Sequence, residues 1–127
     1  MTISKEQIIQ YFKSGIKKKN DFKIGIEHEK FLFDSKNNKR IDYSKVKEMF
    51  SALNEFGWSP IKEGKNIVGL NKGGKNITLE PGNQIELSGE KLNNIHEACA
   101  ESQDYLFELK QVTKKLNISN VPYTFLF

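Results

Sequence analysis

The sequence predicts an α+β domain: a partly open, curved antiparallel sheet of about five to six strands, with two to three helices packed on one face. Three observations predict it. Apolar residues recur at helical spacing in three separated segments, and strand-like alternation fills the stretches between them. The chain of 127 residues suits one core and is too short for two, so residues 1–127 are read as a single domain.

Taken in order, Ser4-x-x-Gln7 has capping-box spacing, and Ile8, Tyr11, Phe12 and Ile16 follow on a helical stripe, predicting a helix over about 4–17. From Lys23 to Asp34 the period becomes two. Ile24, Ile26, His28, Lys30 and Leu32 share one parity, and Gly25, Glu27, Glu29, Phe31 and Phe33 share the other, as in a strand. A turn at Asp34–Lys39 precedes a second helix over 43–56, with Val46, Met49, Phe50, Leu53 and Phe56 inward and Gly57 as its stop. Between Trp58 and Ser88, glycine-bearing turns at Glu63–Asn66 and Asn71–Lys75 predict two hairpins of a meander. A third helix is expected from after Gly89 to about Leu116, nearly 40 Å long at about 1.5 Å per residue, with Leu92, Ile95, Cys99, Leu106, Leu109 and Leu116 near one face. Val121–Phe127 reads as a last strand.

Composition narrows the function classes. The chain is 37% hydrophobic and 28% charged, which is ordinary globular usage. No run reaches the roughly 20 apolar residues of a membrane span, and the first residues lack a signal-peptide pattern, so a cytoplasmic protein with no membrane partner is expected. The net charge of +4 rests almost wholly on lysine, Arg40 being the one arginine, and nucleic acid is not an expected partner. Lys17-Lys18-Lys19 suits the negative end of the first helix. Cys99 cannot close an intrachain disulfide and reads as a small core residue, His96 as a packed or half-exposed structural histidine, and Trp58, Phe50 and Phe56 as core. Phosphate-loop and dinucleotide-binding glycine patterns are absent.

Two segments do not fit a plain scaffold. Alternation sends Glu27 and Glu29 to one face, their Cβ atoms roughly 7 Å apart, where two like charges cost on the order of 2 kcal/mol at an effective dielectric near 20. A solvated edge strand with two exposed glutamates stays open on the local pattern. The stretch Leu79-Glu80-Pro81-Gly82-Asn83-Gln84-Ile85-Glu86-Leu87-Ser88 repeats the theme, with Pro81-Gly82 expected to bend or bulge the strand. Converging carboxylates with no arginine nearby suit a hard, oxygen-preferring cation such as magnesium, which keeps only one or two carboxylates and fills its shell with water and phosphate oxygens. Four glutamates then suggest two or more ions holding a nucleoside triphosphate.

These segments carry a resemblance. Ile24-Gly25-Ile26-Glu27-His28-Glu29-Lys30-Phe31, then Gly57-Trp58, Glu63-Gly64 and Ile67-Val68-Gly69-Leu70, then Thr78 through Gly89, then His96-Glu97-Ala98-Cys99-Ala100-Glu101, in this order, resemble the N-terminal part of glutamate-cysteine ligases of the plant and proteobacterial type. The resemblance implies a glutamine-synthetase-like catalytic fold. It also implies ligation of the glutamate side-chain carboxylate to the cysteine amine, with ATP as substrate and Mg2+ as cofactor, the first step of glutathione synthesis. By position, Glu27, Glu29, Glu80 and Glu86 correspond to metal ligands and Gln84 to a substrate contact; no catalytic residue is assigned. Asn83 departs from the family pattern, which has a second glycine there. The chain is expected to be the N-terminal portion of a longer catalytic domain, without a complete site of its own and prone to self-association through an exposed sheet edge. The alternatives are a non-catalytic α+β binding module derived from that fold, or a related ligase with another amine acceptor.

Overall fold

The computed structural model describes residues 2–122. Helix α1 spans Lys5–Ser14, strand β1 Glu27–Asp34, helix α2 Tyr43–Leu53, strands β2 Ser59–Glu63, β3 Asn66–Lys72, β4 Lys75–Glu80 and β5 Gln84–Ser88, helix α3 Ile95–Leu116, and strand β6 Ile118–Pro122. Short 3-10 turns occupy Lys19–Asp21 and Asn54–Phe56. The six strands form one sheet in the order β2-β3-β4-β5-β1-β6, with every neighbouring pair antiparallel. The fold class is the expected one. β1 lies between β5 and β6 because the chain leaves it through α2, runs the β2–β5 meander, and returns through α3 to lay β6 on its free side.

Alternation sorts the two faces. Ile77, Ile85, Leu87 and Leu32 are buried beneath α2 and α3, joined by Val46, Met49, Phe50 and Leu53 from α2 and by Tyr105, Leu109 and Val112 from α3. α2 begins at Asp42, whose carboxylate accepts from the Lys45 amide at 2.9 Å, and the chain turns out of its last turn at Gly57, where φ is +86°. α3 is capped by Asn94, which accepts from the His96 and Glu97 amides, and ends at Asn117 with φ +53°.

The structure corrects several boundaries. β1 begins at Glu27 rather than Lys23, since Ile24 makes only an isolated bridge to Leu92. Residues 58–88 form three hairpins rather than two, because Pro81-Gly82-Asn83 is the β4–β5 turn and not a bulge. β6 starts at Ile118, and most of the strand read over 121–127 lies outside the described residues. α3 is 22 residues, about 33 Å.

Its inward face is also different. Ala98, Glu101, Tyr105, Glu108, Leu109, Val112 and Thr113 are buried, whereas Ile95, Leu106, Cys99 and His96 are exposed. Two glutamates are tolerated inside because each is paired. Glu108 accepts from Trp58 Nε1 at 2.6 Å and from Lys72 Nζ at 2.5 Å, and Glu101 lies 3.7 Å from Lys75 Nζ and accepts the Glu90 amide. α1 keeps its capping box but buries nothing: Ile8, Ile9, Tyr11 and Phe12 are all exposed, so the helices packed on the sheet are α2 and α3.

Candidate functional site

Strand register builds the candidate site. On the face turned away from α2 and α3, Glu29 stands opposite Glu86, and Glu86 stands opposite Thr78, so β1, β5 and β4 contribute one row. The next row is Glu27, Ser88 and Asn76. Towards the β4–β5 turn, Glu80 faces Gln84. The four glutamates and Gln84 therefore share one face of three adjacent strands, with Glu27 exposed and the others half-buried. This is also the face of Phe31 and opposite that of His28 and Lys30, the alternation expected from sequence.

Electrostatics agree with the register. Burial pushes the Glu86 carboxyl above its ordinary 4.5, and the charges of Glu27, Glu80 and Glu29 push it further. Among the described residues none of the four glutamates forms an ion pair with a lysine. Thr78 Oγ1 donates to Glu80 Oε1 at 2.8 Å, which fixes one carboxylate and leaves its second oxygen unengaged by this bond. No three acidic, histidine or cysteine side chains among the described residues converge closely enough to cage an ion. Such a set fits a cation that takes one or two carboxylates and completes its shell from water and phosphate, and does not fit an all-protein cage.

The opposite side of the same strands carries supporting contacts. His28 Nε2 lies 3.1 Å from Ser102 Oγ on α3, and burial together with the charge of Lys30 lowers the His28 pKa, against a smaller upward pull from Glu101. His28 therefore belongs to the underside of β1 and is not aimed at the carboxylates.

The sequence reading missed one neighbour. Arg40 lies over the Phe31 ring, 5.3 Å from its centroid, and donates to the Gly82 carbonyl oxygen. The site thus has an arginine at its border, where none was expected. The signal that could have found it is the turn at 34–39, which sends the chain back along β1 so that Phe33 and Arg40 bridge.

The sequence model of Glutamate-cysteine ligase family 2 (GCS2) matches residues 23–120. The chain belongs to this family. Among similar glutamate-cysteine ligases, the chloroplastic enzyme of Medicago truncatula is 39% identical over 117 residues, 91% of this chain and 23% of that protein. Glutamate-cysteine ligase A of Oryza sativa subsp. japonica is 39% identical over the same share of this chain and 24% of its own length. The Arabidopsis thaliana enzyme is 38% identical, with 22% of its length covered. The chain spans about a quarter of the length of the family members it matches. Their names also correct one expectation: each is called chloroplastic, so the cytoplasmic location read from a missing signal-peptide pattern is overturned. That pattern concerns secretion and carries no information about import into a plastid. Among the described residues no helix is long and apolar enough to cross a membrane.

Proposed function

We propose that this glutamate-cysteine ligase family chain forms part of a site that joins the side-chain carboxylate of glutamate to the amine of cysteine with ATP as co-substrate, and that residues 1–127 are the N-terminal portion of a longer catalytic domain. Glu27, Glu29, Glu80 and Glu86 would hold magnesium, and Gln84 would contact substrate. The observation that carries this reading is the Glu29–Glu86 cross-strand pair, with Glu27 and Glu80 close enough to raise the Glu86 pKa. Like charges set directly opposite one another destabilise a sheet, so their presence on a single face calls for a cation. Magnesium there would offset the charge that builds on a phosphoryl group in transfer.

The chain's own residues do the positioning. β1 and β5 hold two carboxylates at a separation fixed by ladder hydrogen bonds. Thr78 orients Glu80, and the buried underside of the sheet keeps the strands from slipping in register. ATP would phosphorylate the glutamate side chain, and the cysteine amine would displace phosphate from the acyl phosphate, forming the amide bond.

Magnesium titration by calorimetry of this chain and of Glu86→Gln tests the reading. Wild type is expected to bind, and the variant to bind at least about tenfold more weakly, since it loses one charged ligand. A wild-type chain that takes up no magnesium, alone or with a non-hydrolysable ATP analogue, would sink the assignment.

A further inference from the structure

Arg40 is the one arginine of the chain, and two separate contacts seat it at the turn end of the acidic face. Its guanidinium lies over the Phe31 ring, on the same face as Glu29 and Glu86, and bonds the Gly82 carbonyl. A Cβ on residue 82 would come within 3.0 and 3.2 Å of the guanidinium nitrogens, so the glycine leaves the space in which the group rests. A second bond ties the same two segments together, from Asn83 Nδ2 to the Ile41 carbonyl at 3.0 Å. The loop that carries Arg40 is thereby tied to the β4–β5 turn at Arg40 itself and at the next residue, Ile41.

What the guanidinium does not contact is equally informative. A guanidinium has five N–H donors, of which the Gly82 carbonyl engages only part. No ion pair joins Arg40 to any carboxylate among the described residues, although four glutamates occupy the adjoining strands; the ion pairs among those residues join lysines to other glutamates. Arg40 is exposed, and its side chain is held in place by ring and carbonyl rather than by an opposite charge. A pinned guanidinium with free donors, on the border of a face that would bind cations, has the geometry for two-pronged recognition of an oxyanion.

We infer that Arg40 binds an oxyanion of the reactants, a phosphate or a carboxylate, at the β4–β5 end of the acidic face. The inference rests on the ligase reading above. Metal bound by the glutamates would hold one part of an anionic reactant, and Arg40 would hold another several ångströms along the strands. Gly82 and Asn83 then serve as positioning residues: one leaves room for the guanidinium, the other fixes the loop.

The test is an NMR titration of 15N-labelled chain, wild type, Arg40→Lys and Arg40→Ala, with three probes: magnesium plus a non-hydrolysable ATP analogue, L-glutamate, and magnesium chloride alone. The Arg40 Nε–H resonance is expected to shift saturably with the nucleotide or with glutamate, and the arm that moves it identifies the phosphate or the carboxylate as the oxyanion. In that arm Arg40→Ala should bind about tenfold more weakly, and Arg40→Lys should recover only part of the loss, because an ammonium cannot grip two oxygens at once. Backbone amide spectra report whether each variant is folded. An Arg40 resonance unmoved in both arms, or an Arg40→Ala chain that titrates like wild type, overturns the inference. Magnesium chloride alone reads the glutamates separately: an absent response at Glu29 and Glu86 counts against the metal assignment, while a glutamate-dependent shift at Arg40 would still support the arginine's role.

Discussion

Lys30 is 7% exposed on the core side of β1, and burial pushes its ammonium below the ordinary 10.5. None of the ion pairs among the described residues includes it. A buried cation without an opposite charge is costly, so Lys30→Met should stabilise the chain by about 1 kcal/mol in urea denaturation. The sign with pH follows from the lowered value: between it and 10.5 the unfolded chain binds the extra proton, so wild-type stability rises with pH through that window and the gain from the variant shrinks. Lys30 also depresses the His28 pKa, so the His28 titration midpoint followed by NMR should move up in Lys30→Met. An unchanged midpoint would show that burial alone sets it. The strand period was enough to assign Lys30 to the face of Leu32, but its burial depends on the depth at which α3 packs, which no local pattern contains.

The β4–β5 turn joins backbone geometry to the candidate site. Gly82 has φ +73° and Asn83 φ +59°, so two consecutive residues occupy the left-handed region. Asparagine tolerates that region better than other side chains, and here its amide also bonds Ile41, which explains how it can stand in the turn beside Gly82. Gly82→Ala should cost about 1–2 kcal/mol from the strained φ alone, and should also displace Arg40. Denaturation gives the first and the Arg40 side-chain resonance the second; a variant with wild-type stability and an unmoved Arg40 would contradict both. At this scale the sequence was partly legible. The Pro-Gly pair announced a break in the ladder but not whether the chain bulges or reverses, because both outcomes use the same residues. α3 was legible in its existence and not in its orientation. Glu101 and Glu108 disguised its buried face, and it is the lysines of β3 and β4, the Trp58 indole and the Glu90 amide, all outside the helix, that make those glutamates acceptable inside.

At the scale of the molecule, the sheet joins one cohesive face to one repulsive face. Without metal, Glu86→Gln should raise the melting temperature by about 1–4 °C near neutral pH, since it removes a charge opposed by three others. The carboxyl has a raised pKa, so the wild-type penalty is full above that value and fades as pH falls through it. The two melting curves should therefore converge in acid and, with magnesium added, exchange order. Equal melting temperatures at every pH would show the charges to be screened. The strands, the helices and the separate pairings of Glu27 with Glu29 and of Gln84 with Glu86 on one face could be read from periodicity; that all four glutamates share a face follows from the pairing of β1, β5 and β4. The arginine on their border could not, because it arrives through a tertiary turn. The apolar surfaces on α1 and on the outer side of α3 have no covering element among the described residues, in a chain spanning 23% of the Medicago protein's length.

The paired helix-side glutamates let the scaffold set without any ion. Lys72 and Lys75 offset the charges of Glu108 and Glu101 from within the chain, and Trp58 donates a hydrogen bond to Glu108, so the core can close as soon as the strands meet. The fold therefore does not depend on the ion proposed for the acidic face: a chain made under magnesium starvation is expected to reach the same folded shape.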